Sequence, residues 1–210
     1  MIIFAICGKS AAGKDTLTNR ISKKLKIPKI ISCTTRPKRP NEVDGIDYKF
    51  INSQTMKELK DNNKLANHTS YKVVENQIWE YAYLKEDIEK YDKCLMILNP
   101  EGLRTIEEEY GSRKNVKIVK ILIDAPLETR VIRSLDRNGK DTNSIVEIIR
   151  RAIADEKDFK NIKPNHKIDT TKPIAYLKFV EIVRRELGNH LLNNFRRDFK
   201  NDPMKFLGGR

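Results

Sequence analysis

The stretch Gly8–Thr16, GKSAAGKDT, constrains this chain more than any other. It follows the apolar run Ile2–Ile6 and leads into a helical pattern carrying Leu17, Ile21 and Leu25. A strand, a glycine-bearing loop and a helix in that order bring backbone N–H groups and a helix N-terminus to one point, where a phosphate is bound. A plain strand-to-helix turn would not account for the full spacing from Gly8 to Gly13 and Lys14. Gly8, Lys9, Ser10, Ala11, Ala12, Gly13, Lys14, Asp15 and Thr16 are therefore read as a nucleotide-phosphate cradle, with Lys14 as a point charge across the phosphates. One position departs from the pattern. A serine or threonine ordinarily follows the lysine to reach a magnesium ion, and here Asp15 stands there with Thr16 next, which makes these two the candidate metal contacts.

The 210 residues are enough for a buried core, and the charge balance, 42 Lys+Arg against 29 Asp+Glu, leaves a formal net charge of +13. An anionic partner follows, either nucleic acid or phosphorylated nucleotides. The basic residues are spread along the chain without an aromatic-interleaved basic stretch, which favours nucleotides over nucleic acid. No apolar run approaches bilayer length and the start lacks a signal peptide's features, so a cytoplasmic protein with no membrane partner is expected. Cys7, Cys33 and Cys94 lie in or beside strand-like runs and read as buried free thiols, while His68, His166 and His190 have no ligand spacing.

Along the chain, Lys29–Cys33 reads as a short buried strand, and Ile51–Asp61 as a short helix with Ser53 as its N-cap. Lys64–Tyr83 alternates in the manner of small antiparallel strands. Lys93–Leu98 is a continuous apolar run suited to a strand covered on both faces. Glu101–Tyr110, Pro126–Leu135, Ser144–Phe159 and Ile174–Leu187 read as helices, with strands at Val116–Ile123 and Lys167–Asp169. Ile145, Ile148, Ile149, Ala152 and Ile153 form an apolar stripe on the third of these helices. Strands alternating with helices imply an α/β fold with a parallel central sheet. Beyond Gly188 the pattern loosens into a basic extension, 188–210, where Leu191, Leu192, Phe195 and Phe199 suggest a helix docking on the core or on another subunit. Gly208, Gly209 and Arg210 read as a disordered end.

Ser32–Phe50, SCTTRPKRPNEVDGIDYKF, closely resembles the guanylate kinase signature Ser-x-Thr-Thr-Arg-x-x-Arg-x-x-Glu-x-x-Gly-x-Asp-Tyr-x-Phe. The match is long, nearly gapless, and falls at the right distance after the phosphate loop. The resemblance implies a three-layer P-loop fold with its core at 1–33 and 84–187, a small monophosphate-binding insertion at 34–83, and a lid at 137–143. It implies magnesium-dependent transfer of the ATP γ-phosphate to GMP or dGMP. By that resemblance Arg36, Arg39 and Tyr48 grip the acceptor phosphate, supported by Glu42 and Tyr81, and Ser32, Asn67 and Asn99 stand at the base-reading positions. Arg133, Arg137 and either Arg150 or Arg151 are the candidates for its lid arginines, although its usual Arg-Gly-Thr-Glu lid stands here as Arg137-Asn138-Gly139-Lys140, and Lys14 and Arg36 complete the catalytic set.

This assignment agrees with the chemistry. Phosphoryl transfer between nucleotides needs positioning, positive charge and exclusion of water, and no general base, because the nucleophile is already a phosphate oxygen. Guanidinium forks suit a dianionic phosphate. The base reader is where the chain departs, since both carboxylates of the family pattern are amides, Asn67 and Asn99. An amide offers one acceptor and one donor edge and pairs with several bases. Glu75, Glu80 or Glu101 could restore the charge. The Gly-Lys-Asp-Thr ending of the loop also resembles phage-type deoxynucleoside monophosphate kinases, which leaves a different or broader acceptor as the alternative. A non-catalytic guanylate-kinase-like interaction module is the third reading, and the intact Gly8, Gly13 and Lys14 count against it.

Overall fold

Residues 1–39, 42–72 and 77–201 are described by the computed structural model of the chain. Strand β1 (Ile2–Cys7) is buried at every position, as a central strand must be. It pairs in parallel with β6 (Lys93–Ile97) and β7 (Lys117–Asp124), and β7 pairs in parallel with β8 (His166–Asp169). The resulting order is β6-β1-β7-β8. Side-chain alternation along β1 divides the core in two. Ile2, Phe4 and Ile6 pack with Leu17 and Ile21 of α1 (Lys14–Leu25) and with Phe179 and Val183 of α7 (Ala175–Asn201). Ile3, Ala5 and Cys7 pack with Leu103, Ile106 and Tyr110 of α4 (Pro100–Tyr110). Helices on both faces of a parallel sheet make the three-layer α/β architecture.

A second sheet, order β3-β2-β5-β4, lies in the region read as the insertion. Strands β4 (Leu65–Lys72) and β5 (Ile78–Leu84) are antiparallel, as the alternation predicts, and β5 also pairs antiparallel with β2 (Cys33–Thr34). β2 pairs in parallel with β3 (Lys49–Phe50). The strand expected at Lys29–Cys33 is thus divided. Lys29 bridges Leu95 at the edge of the first sheet, and the chain then crosses to join the second at Cys33. Helix α2 (Ser53–Asp61) is capped one residue earlier than expected, because Asn52 Oδ1 accepts from the Thr55 N–H at 2.7 Å. The short helix α3 (Lys85–Glu89) follows β5 directly.

Helices α5 (Leu127–Asn138) and α6 (Thr142–Asp158) form a hairpin whose turn holds Gly139 at φ 97° and Asp141, the α6 N-cap. The apolar stripe of α6 is only partly covered: Ile148 is buried, whereas Ile145, Ile149 and Ile153 are exposed. Over that length the helix packs chiefly on α5, so part of its apolar periodicity faces outward. The expected end of the last helix at Leu187 is also overrun, since α7 continues through Gly188 to Asn201. Gly188 lies inside α7 and marks no turn, and a Cβ built there would meet nothing within 4 Å. Leu191 is exposed. The side chains of Leu192, Phe195 and Phe199, and Gly208–Arg210 altogether, lie outside what is described. The three cysteines are buried and free, and burial pushes the thiols of Cys7 and Cys94 up to about 12 and that of Cys33 up to about 11. Among the described residues no helix is long and apolar enough to cross a membrane.

Candidate active site

The phosphate loop leaves β1 at Gly8 because nothing larger fits. A Cβ there would stand 2.5 Å from the Ile123 carbonyl oxygen of the neighbouring strand. The loop then turns through Ala11 at φ 56° and Gly13 at φ 92°, the latter as N-cap of α1. Two of its carbonyls are held from behind. Thr170 Oγ1 donates to the Ala12 carbonyl at 2.8 Å, and Arg133 Nη1 donates to Thr170 Oγ1 at 2.9 Å and approaches the Ala11 carbonyl at 3.5 Å. The start of α1 is left with N–H groups that have no partner within the helix, beside the partly buried ammonium of Lys14. Asp15, whose side chain is 68% exposed, lies 4.0 Å from Lys14 Nζ, and Thr16 is exposed.

The acceptor side is built on β2. Thr34 Oγ1 donates to the Glu80 carbonyl at 2.9 Å and accepts from the Arg36 N–H at 3.1 Å, while Thr35 Oγ1 accepts from the Glu80 N–H at 2.9 Å. The two threonines therefore pin the strand end from which Arg36 projects. Arg36 is 4% exposed, donates through Nη2 to both oxygens of Glu42 at 2.7 and 2.9 Å, and donates through Nη1 to the Pro37 carbonyl at 2.8 Å. Its guanidinium lies 5.2 Å from the Tyr48 ring centroid and also interacts with Tyr81. The Arg36 hydrogen bonds hold the Glu42 carboxyl below the usual carboxylate range. Arg39 gives its N–H to Glu42 Oε2 at 2.9 Å, and its residue is exposed. Tyr48 reaches the pocket through a turn at Gly45, φ 75°, closed by the Gly45 N–H donating to the Tyr48 carbonyl at 2.8 Å. Burial, then the Tyr81 phenol and the Asp15 carboxylate, push the Tyr48 phenol up, which keeps it a hydrogen-bond donor.

The two amides at the base-reading positions meet over Gly102. A Cβ on that residue would lie 2.5 Å from Asn67 Nδ2 and 2.9 Å from Asn99 Oδ1. Asn99 Oδ1 is the N-cap of α4 and accepts from the Gly102 N–H at 2.7 Å, so its remaining edge is the Nδ2 donor, which is given to the Tyr71 hydroxyl. Tyr71 and Tyr81 meet edge to face at 5.8 Å, as do Tyr48 and Tyr81 at 5.9 Å, forming an aromatic wall. Ser32 interacts with Tyr83, whose hydroxyl donates to the Ile97 carbonyl at 2.7 Å. Glu80 does not restore the missing charge. The β4–β5 register puts it opposite Ser70, on the other face from Asn67 and Thr69, where it pairs with His68 at 2.8 Å. Glu101 is exposed in the first turn of α4, and Glu75 lies outside the described residues.

On the lid side, Arg133 is at the loop, Arg137 lines the cleft between α5 and α6, and Arg151 lines the same cleft. Arg150, whose side chain is 64% exposed, pairs with Glu147 at 2.7 Å, as Arg151 does at 2.6 Å. These two guanidinium groups hold the Glu147 carboxyl down at about 2. Thr170 and Gly102 were not marked by sequence reasoning. Gly102 had a signal, a glycine inside a helix where alanine is preferred, whereas Thr170 acts only through space.

A family profile described as guanylate kinase matches residues 2–173. The chain belongs to the guanylate kinase family. The guanylate kinase of Mycoplasmoides gallisepticum is 26% identical over 149 residues, covering 70% of this chain and 73% of that protein. That of Zymomonas mobilis is 27% identical over 159 residues, covering 70% of this chain and 66% of its own. The chain thus spans about two thirds of the length of these relatives. A 53-residue stretch is 49% identical to the guanylate kinase of Thermotoga maritima, covering 25% of this chain. The fold is shared with the crystal structure of guanylate kinase from Anaplasma phagocytophilum, at a TM-score of 0.58 and 20% identity over 88% of this chain and 85% of that one.

Proposed function

We propose that this guanylate kinase family member transfers the γ-phosphate of ATP to GMP or dGMP, giving ADP and GDP or dGDP, in the cytoplasm. The observation that carries this is the presence in one chain of a phosphate loop at Gly8–Thr16 and a buried Arg36–Glu42 pair beside Tyr48 and Tyr81. Two phosphate grips of opposite construction suit a donor polyphosphate and an acceptor monophosphate. In this reading 34–83 is the monophosphate-binding insertion, 137–143 the lid, 1–33 and 84–187 the core, and 188–210 a basic extension.

The reaction follows from positioning. The α1 N-terminus and Lys14 hold the β- and γ-phosphates and compensate their charge. Arg36, already oriented by Glu42, offers its remaining donors to the acceptor phosphate, with Arg39 and the Tyr48 hydroxyl beside it. Ser32, Asn67 and Asn99 orient the base so that the acceptor oxygen lies in line with the γ-phosphorus. Arg133, Arg137 and Arg150 or Arg151 supply charge at the transferring group as the α5–α6 turn closes and excludes water.

Magnesium fits the residues present. Among the described residues no group of three or more acidic, histidine or cysteine side chains could hold a metal alone. Asp15 and Thr16, in the first turn of α1, offer a carboxylate and a hydroxyl oxygen, the hard donors that magnesium takes. Asp15, through water, or Thr16 would hold the ion. When bound, the ion would supply positive charge to the phosphates.

A second acceptor class is favoured by one observation. Asn99 spends its acceptor on the α4 cap and gives its donor edge to the Tyr71 hydroxyl, whereas guanine N1–H and N2–H call for acceptors. A broader deoxynucleoside monophosphate set follows if that donor reads the base. ADP release measured with GMP, dGMP, AMP, dTMP, dCMP and UMP separates the two: preference for the guanine pair supports the first reading, and activity confined to pyrimidines overturns it.

A further inference from the structure

The back of the phosphate loop is fastened to the helix that follows the lid turn. The Ser10 N–H donates to Asp155 Oδ2 at 2.7 Å, and Lys9 Nζ donates to Glu156 Oε2 at 2.6 Å. Arg130 of α5, only 3% exposed, stands between the two acids. Its Nη1 is 3.5 Å from Asp155 Oδ2, its Nη2 donates to Glu156 Oε1 at 2.8 Å, and its Nε donates to the Ala125 carbonyl at 3.1 Å.

This arrangement is electrostatically specific. A carboxylate beside a polyphosphate site would repel the ligand unless it were neutralised, and here two acids are matched by Lys9 and Arg130. A carboxylate also accepts from an N–H about twice as strongly as a neutral oxygen does. The loop is then held on two sides, its Ser10 N–H by Asp155 and its Ala11 and Ala12 carbonyls by Arg133 and Thr170. Between these anchors the chain must take the left-handed turn at Ala11. Asp155 lies near the C-terminal end of α6, roughly 20 Å along the helix from its cap at Asp141.

We propose that Asp155, oriented by Arg130, is a positioning residue for the phosphate donor: it holds the Ser10 N–H so that the loop presents the α1 N-terminus to ATP. The inference rests on the reading of Gly8–Thr16 as the ATP site.

Steady-state kinetics with ATP and with the acceptor varied in turn, alongside ATP binding by calorimetry and thermal melts, test it on Asp155→Ala, Asp155→Asn and Glu156→Gln. Asp155→Ala should raise the KM and Kd for ATP about tenfold while the acceptor KM stays within about twofold, as expected for losing one charge-assisted hydrogen bond. Asp155→Asn, which keeps an acceptor for the Ser10 N–H, should raise them about threefold, and Glu156→Gln less. If Asp155→Ala does not fold, Asp155→Asn decides. Unchanged ATP affinity, or equal rises for ATP and acceptor, overturns the inference. A wild-type protein that binds no ATP overturns the functional reading and this inference together, whereas a wild type that binds ATP as Asp155→Ala does overturns the inference alone.

Discussion

Glu42→Gln is the most informative perturbation of the acceptor pocket. Both carboxylate oxygens of Glu42 accept from Arg36, and the two side chains are 15% and 4% exposed. The substitution keeps the shape and one acceptor but removes the charge that compensates a buried guanidinium. Removing one partner of a buried pair costs about 3–5 kcal/mol. The retained amide oxygen returns about 1 kcal/mol as a neutral hydrogen bond, leaving a net loss of about 2–4 kcal/mol. At about 2–4 °C per kcal/mol for a chain of this size, the melting temperature should fall by about 4–16 °C. A nucleoside monophosphate brings a dianion to the same guanidinium, so saturating acceptor should recover more of the loss in the variant than it adds to the wild type. The pH dependence has a definite sign. The folded-state pKa of Glu42 is lowered from 4.5, so its stabilisation is complete above the unfolded value and is lost as pH falls through the folded one. The stability gap between wild type and variant should be flat at neutral pH and close below about pH 4. Thermal melts across pH, with and without acceptor, test this. A gap that is absent at neutral pH, that widens on acidification, or that acceptor leaves unchanged refutes the reasoning.

Gly8→Ala should destabilise the protein by about 1–3 kcal/mol and weaken ATP binding more than tenfold in calorimetry, because the new methyl would meet the Ile123 carbonyl at 2.5 Å and neither strand can move cheaply. Binding within about twofold of wild type would contradict that packing argument. Asn99→Asp keeps the α4 cap, since aspartate caps as well as asparagine, and replaces the donor facing Tyr71 with a charged acceptor. Selectivity for GMP over the other monophosphates, read as a ratio of kcat/KM, should rise about tenfold, in line with 1–3 kcal/mol for a satisfied buried donor.

Features that depend on neighbours in sequence were legible and those that depend on neighbours in space were not. The Ile2–Ile6 run and the β4–β5 alternation each report burial locally, and both strands are present. Arg36, Glu42 and Tyr48 lie within one short segment whose own turns bring them together, so a motif was enough to group them. The Lys29–Cys33 run reads as one short strand, yet its hydrogen bonds go to two different sheets, which composition does not record. Periodicity in α6 identifies an apolar face but not whether anything covers it. Thr170 on the Ala12 carbonyl and Asp155 on the Ser10 N–H join residues more than a hundred positions apart, so only the fold shows them. The same holds for Asn99, where the amide was visible but the assignment of its acceptor to the helix cap required the backbone.

The central claim is that Lys14 and the surrounding loop hold ATP for transfer onto a guanine monophosphate gripped by Arg36. Transfer of the γ-³²P of ATP to GMP, followed by separation of the nucleotide products, tests it most directly. Wild-type protein should form labelled GDP with magnesium present, and Lys14→Ala should form it at a rate lower by a hundredfold or more, consistent with losing about 3 kcal/mol of charge stabilisation at the phosphates. Labelled inorganic phosphate in place of GDP, or an unchanged rate in Lys14→Ala, would contradict the account.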